Sequence, residues 1–77
     1  MTKVDSKAIS AIITKIEEAI AELEPILNEQ QERYDNFSDE EKESEKGEQL
    51  ESSIDYLQAA HDRLDDAKAS LETILVE

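Results

Sequence analysis

Two stretches of heptad spacing, separated by a run with no large apolar residue, constrain this chain more than anything else in it. One stretch runs Ile9, Ile13, Ile16, Ile20, Leu23, Leu27, Gln30, Tyr34, Phe37; the other runs Leu50, Ile54, Leu57, His61, Leu64, Lys68, Leu71, Leu75. Steps of four and three alternate in both, which keeps one stripe of side chains on one side of an α-helix. In heptad letters Ile13, Ile20, Leu27 and Tyr34 occupy a in the first helix, and His61 occupies a in the second. Ile12, Ala19 and Ile26 fill g in the first helix, and Ala60, Ala67 and Ile74 fill g in the second. That extra row makes each stripe wider than a two-stranded seam needs, as in bundles of three or four helices.

From Ile9 to Tyr34 and from Leu50 to Leu75 the stripes span equal lengths, about 40 Å each at 1.5 Å per residue. Equal lengths and a compact connector predict an all-α antiparallel helical hairpin in one domain, residues 1–77. The expected parts are a first helix over about 6–34, an acidic connector over 35–49 and a second helix over about 50–76. Asp5 or Ser6 is expected to cap the first helix through a short side-chain oxygen. Pro25 deletes a backbone hydrogen bond to the Ala21 carbonyl and crowds the preceding turn, so a kink is expected there. The register continues from Leu23 to Leu27, which favours a bent continuous helix over a stop and restart. A lone hairpin leaves Ile12, Ile26 and Ile74 in water, which costs roughly 25 cal/mol per Å² of apolar surface. Assembly into a multi-helix bundle, or burial against a partner, is therefore expected. The seam comprises Ile12, Ile16, Ile20, Leu23, Ile26, Leu27, Ile54, Leu57, His61, Leu64, Leu71 and Ile74.

Between the stripes, Asp35 and Asn36 carry turn chemistry. Ser38-Asp39-Glu40-Glu41 then reads as a capping box, with Ser38 as cap and Glu41 reaching back. A helix is expected to begin at Asp39, either as a solvated lead-in weakened near Gly47 or as a short helix and bend. From Asp35 to Gln49 seven acids face two lysines, net −5. That run is either a solubilising loop or a docking surface for a basic partner.

Charge narrows the function classes. Twenty-one acidic and eight basic side chains leave a net charge of −13 on 77 residues, which disfavours direct contact with nucleic acid or an anionic membrane. The partner expected is a protein with a basic surface. Cys is absent, so thiolate metal sites and disulfides are excluded and a reducing cytoplasm is expected. No apolar run approaches the roughly 20 residues of a membrane span, and no charged-then-apolar leader opens the chain.

Catalytic signals are missing. His61 is the only histidine, and no second His or Cys exists to build a metal or catalytic cluster with it. It reads as a polar residue that sets the seam register, as does Lys68 one heptad later. The connector lacks the spacing of a calcium loop, and Gly47 falls too late in it. With no phosphate loop and no nucleophile elbow, neither an enzyme nor a bound cofactor or metal is expected. Tyr56 lies off the stripe at c, as a contact anchor or as chance surface placement.

Tyr34-Asp35-Asn36-Phe37, the Glu43-Ser44-Glu45-Lys46-Gly47-Glu48 run and the Ile54-Asp55-x-Leu57 opening of the second helix resemble a loose group of short, acidic helical-hairpin proteins encoded by phages and prophages. The resemblance covers about the C-terminal two-thirds of the chain. It implies a mobile-element origin and action in a host cytoplasm, and it carries no catalytic residues. Small acidic phage proteins often block a host protein, some by imitating DNA.

Two functions are then expected from different classes. One is an inhibitor or regulator that sets acidic faces against a basic, nucleic-acid-binding protein, with Glu40, Glu41, Glu43, Glu45, Asp55, Tyr56, Asp62 and Asp66 as candidate contacts. Glu17, Glu18, Glu22, Glu24, Glu29 and Glu32, with Asp65 and Glu72, also lie outside the seams. The other is an oligomerisation module or assembly adaptor whose charge only confers solubility. A weaker third expectation is a small ligand held between hairpins.

Overall fold

The computed structural model describes residues 2–76 as three helices, α1 (Lys3–Asp35), α2 (Asp39–Glu43) and α3 (Glu45–Val76). The two long helices, of 33 and 32 residues, lie antiparallel in a hairpin that measures 58 × 15 × 15 Å. The heptad stripes meet along its length: every a and d residue from Ile9 to Tyr34 and from Leu50 to Leu75 is at least half-buried. Ile13 alone among the described apolar side chains falls to 8% exposure. A hairpin one helix deep on either side of its seam has no room for a fuller core.

Among the described residues, four polar links crossing the seam set its register. Tyr34 donates its hydroxyl hydrogen to Glu51 Oε2 at 3.2 Å, and Ser53 Oγ donates to Gln30 Oε1 at 2.7 Å. His61 Nε2 lies 3.3 Å from Glu24 Oε1, and Lys68 Nζ lies 3.7 Å from Glu17 Oε2. In that register Ile20 is level with Leu64, Leu27 with Leu57 and Leu23 with His61, so a residues of one helix face d residues of the other.

The termini of the helices differ from the sequence expectation. Thr2, not Asp5 or Ser6, caps α1: its hydroxyl accepts from the Asp5 N–H at 3.1 Å, while Ser6 Oγ donates to the Thr2 carbonyl. Asp5 is instead an acid in the first turn, where it faces the positive end of the helix dipole. α1 runs unbroken through Pro25, and no kink at Pro25 is shown. Pro25 and Ala21 both sit on the exposed side of the helix, so the Ala21 carbonyl that loses its partner is left to water.

The connector is shorter than expected. Asn36 and Phe37 turn the chain, with the Asn36 N–H bonded to the Glu32 carbonyl. α2 begins at Asp39 under the expected capping box: the Ser38 N–H donates to Glu41 Oε1 at 2.9 Å and the Glu41 N–H to Ser38 Oγ at 3.2 Å. One residue, Ser44, separates α2 from α3. Its hydroxyl accepts from the Gly47 N–H at 3.3 Å, so α3 starts at Glu45, five residues before its apolar stripe. Gly47 is buried, with the Glu41 and Lys42 carbonyls where a Cβ would stand. The glycine serves close packing of α3 on α2, not helix breaking.

Candidate protein-binding surfaces

Because a residues lean toward e and d residues toward g, an antiparallel pair merges the two e rows into one flank and the two g rows into the other. The flanks of this hairpin are chemically unlike. Along the first, α1 contributes Glu17, Glu24 and Gln31 at e, and α3 contributes Glu51, Gln58, Asp65 and Glu72. Asp35 on α1 and Asp55 and Asp62 on α3 stand beside them at b. The polar a residues of the seam tilt to the same side. His61 Nδ1 lies 3.5 Å from Asp65 Oδ2 and 3.9 Å from Asp62 Oδ1. Nδ1 is nevertheless buried with no hydrogen-bond partner among the described residues. Glu17, Glu24, Asp65 and Lys68 line a shallow cleft over Ile20 and Ala21.

The opposite flank carries Ile12, Ala19, Ile26 and Arg33 from α1 and Ser53, Ala60, Ala67 and Ile74 from α3. Ile12, Ile26 and Ile74 are 46%, 48% and 43% exposed. The link between Ser53 and Gln30 is the one seam-crossing polar contact on this side among the described residues. Near the connector the flank ends in a cleft lined by Arg33, Phe37, Lys46 and Gln49.

The eight residues expected to contact a partner do not form one patch. Glu40, Glu41 and Glu43 ride on α2, and Glu45 opens α3. Glu41 is committed to the capping box, and the Ser38 backbone N–H, aided by the Ser38 hydroxyl, holds its carboxyl below the ordinary range. Asp55 and Asp62 share the acidic flank one heptad apart, whereas Asp66 occupies the outer surface of α3 at f. Tyr56, 77% exposed at c, shares a shallow cleft with Gln49, Ser52 and Ser53 that Glu45 and Glu48 also line. The acids at e, Glu17, Glu24, Glu51, Asp65 and Glu72, stand with the b acids although the expected contacts do not include them. Their signal was the heptad letter.

Aromatic packing closes the connector end. Tyr34 and Phe37 lie with ring centroids 6.2 Å apart, Lys42 Nζ is 5.4 Å from the Tyr34 centroid, and Lys46 Nζ is 6.0 Å from that of Phe37. Partial burial, and then the Glu51 carboxylate at its hydroxyl, push the Tyr34 phenol up from its ordinary value. Two of the connector's cations are thereby held against rings. Among the described residues no three His, Asp or Glu side chains come together as a metal site, and no helix is long and apolar enough to cross a membrane. No protein-family model, curated protein or solved structure matches the chain.

Proposed function

We propose that this chain is a non-catalytic inhibitor or regulator, of the phage or mobile-element kind its connector resembles, that acts in a host cytoplasm. It docks its acidic flank on a basic protein surface that ordinarily holds nucleic acid. The observation that carries the reading is a row of eight carboxylates: Glu17, Glu24 and Asp35 from α1 and Glu51, Asp55, Asp62, Asp65 and Glu72 from α3 lie along one flank. They extend over about 35 Å, or roughly one charge per 4–5 Å. A duplex presents about one charge per 1.7 Å and a single strand about one per 3.4 Å. The flank therefore matches the charge density of one strand better than that of a duplex. Solubility alone needs acids anywhere on the surface; it does not need eight of them in one row.

The test is capture of a partner from cell lysate by the immobilised protein, compared with a variant carrying Asp55→Lys, Asp62→Lys and Glu72→Lys. None of these carboxylates accepts a hydrogen bond from a described residue, so circular dichroism should show an intact hairpin. The wild-type protein should retain a nucleic-acid-binding protein that salt and added DNA release, and the triple variant should lose it. Retention by the triple variant at high salt would overturn the proposal. The adaptor reading rests on a different feature, the apolar flank.

A further inference from the structure

We infer that the apolar flank is the contact between two copies of this chain, packed antiparallel into a four-helix bundle about a two-fold axis at the level of Ala19 and Ala67. The first support is area. The hairpin exposes 5805 Å², whereas a compact monomer of its mass exposes about 4,700 Å². The surplus, roughly 1,100 Å², is close to the 800 Å² or so that each partner buries in a standard stable interface. Of the large apolar side chains left exposed, Ile12, Ile26, Ile74 and Tyr56 lie on this one side along the length of the hairpin, while Val4 and Val76 lie off it at the helix ends away from the connector.

Charge selects a second copy as the occupant. Among the described residues this flank, counted over its g and c positions, carries Lys15, Arg33, Lys46 and Arg63 against Asp5, Glu22 and Glu29. Four of the eight basic side chains of a chain with net charge −13 thus lie on the one side where two such chains can meet without repulsion. A basic partner gains nothing there, and the acidic flank attracts it instead.

Shape and charge also select the orientation. Ala19 is the midpoint of α1 (Lys3–Asp35), so a perpendicular two-fold at its level overlaps the hairpins over their full length. That axis sets the small Ala19 of the two copies together, where backbones can approach closely. It places Ile12 of one copy opposite Ile26 of the other, Lys15 opposite Glu22, and Tyr56 over Ile74. A parallel arrangement would instead bring together two connectors of net charge −5 each. The antiparallel bundle leaves both acidic flanks facing outward, and so presents two copies of the partner-binding surface.

Light scattering and cysteine cross-linking test this in the full-length protein. The wild-type mass should be twice the 8.7 kDa of the chain. Because the chain has no Cys, Ala19→Cys should form a disulfide dimer under mild oxidation, while Ala11→Cys, on the outer face, should not. Mixed Ile12→Cys and Ile26→Cys proteins should cross-link to each other more than either does to itself. A monomeric mass with a cooperative thermal transition would overturn the inference. Equal cross-linking at Ala11→Cys and Ala19→Cys would do the same. Cross-linking of Ala19→Cys to Ala67→Cys but not to itself would overturn the antiparallel arrangement.

Discussion

The two flanks of the hairpin are built on the same pair of helices, by the same heptad, and differ only in which side of the seam each side chain occupies. The e flank collects carboxylates, and His61 and Lys68 reach out of the seam to meet them. The g flank collects Ile and Ala and is crossed by one polar link near the connector. In a hairpin this slender every side chain outside the seam is a surface side chain. What distinguishes one from another is the company that the antiparallel pairing gives it, not its burial.

The largest effect should come from the seam that both flanks share. Ile20→Asp or Leu57→Asp places a carboxylate without a partner between the helices. Either should abolish the cooperative thermal transition followed by circular dichroism. A variant that keeps its transition would show that the flanks are not held by this seam.

Gly47→Ala should destabilise the fold by about 1–3 kcal/mol, the usual cost of forcing atoms into a packed site. The sign is diagnostic, since the same change in an open helix would stabilise by up to about 1 kcal/mol. Chemical denaturation measures it, and a stabilised variant would refute the close approach of α3 to α2.

Replacing His61 by Leu asks whether the acidic flank draws on the seam. Burial of a Leu in place of a polar ring whose Nδ1 lacks a partner should stabilise the hairpin by about 1–2 kcal/mol. Glu24, by contrast, is an exposed partner, and Glu24→Gln should change stability by less than about 1 kcal/mol. If Glu24→Gln costs more than His61→Leu gains, the acidic flank holds the hairpin together as well as facing a partner.

The smallest effects are pH-dependent. Glu41 has a lowered folded value, so its stabilisation is present above the unfolded value near 4.3. It fades as pH falls through the lowered one. Tyr34 has a raised value, so its contribution is complete below its unfolded value near 10. It is lost as pH rises through the raised one. Melting curves taken across pH should show a small acid loss that Ser38→Ala removes and a small alkaline loss that Tyr34→Phe removes.

Much of this molecule was determined by its sequence alone. Period, stripe length and the Ser38 capping box are signals that act within one or two helical turns, so the antiparallel hairpin, the a and d seam and the start of α2 could be read directly. The acids and the isoleucines outside the seam were equally plain as residues. Only the tertiary structure decided which of them stand together, because Glu24 and Asp65 become neighbours through helix pairing and not through spacing. The same holds for Gly47, whose spacing suggests a weak helix. Its role is set by carbonyl groups of α2 folded back against it. Ser44, one residue between two acidic helices, caps α3 only because the chain has already turned there. Local periodicity specifies what each helix is. Contacts between distant residues specify which surface it offers, since a side chain on a thin hairpin takes its neighbours from the other strand of the fold.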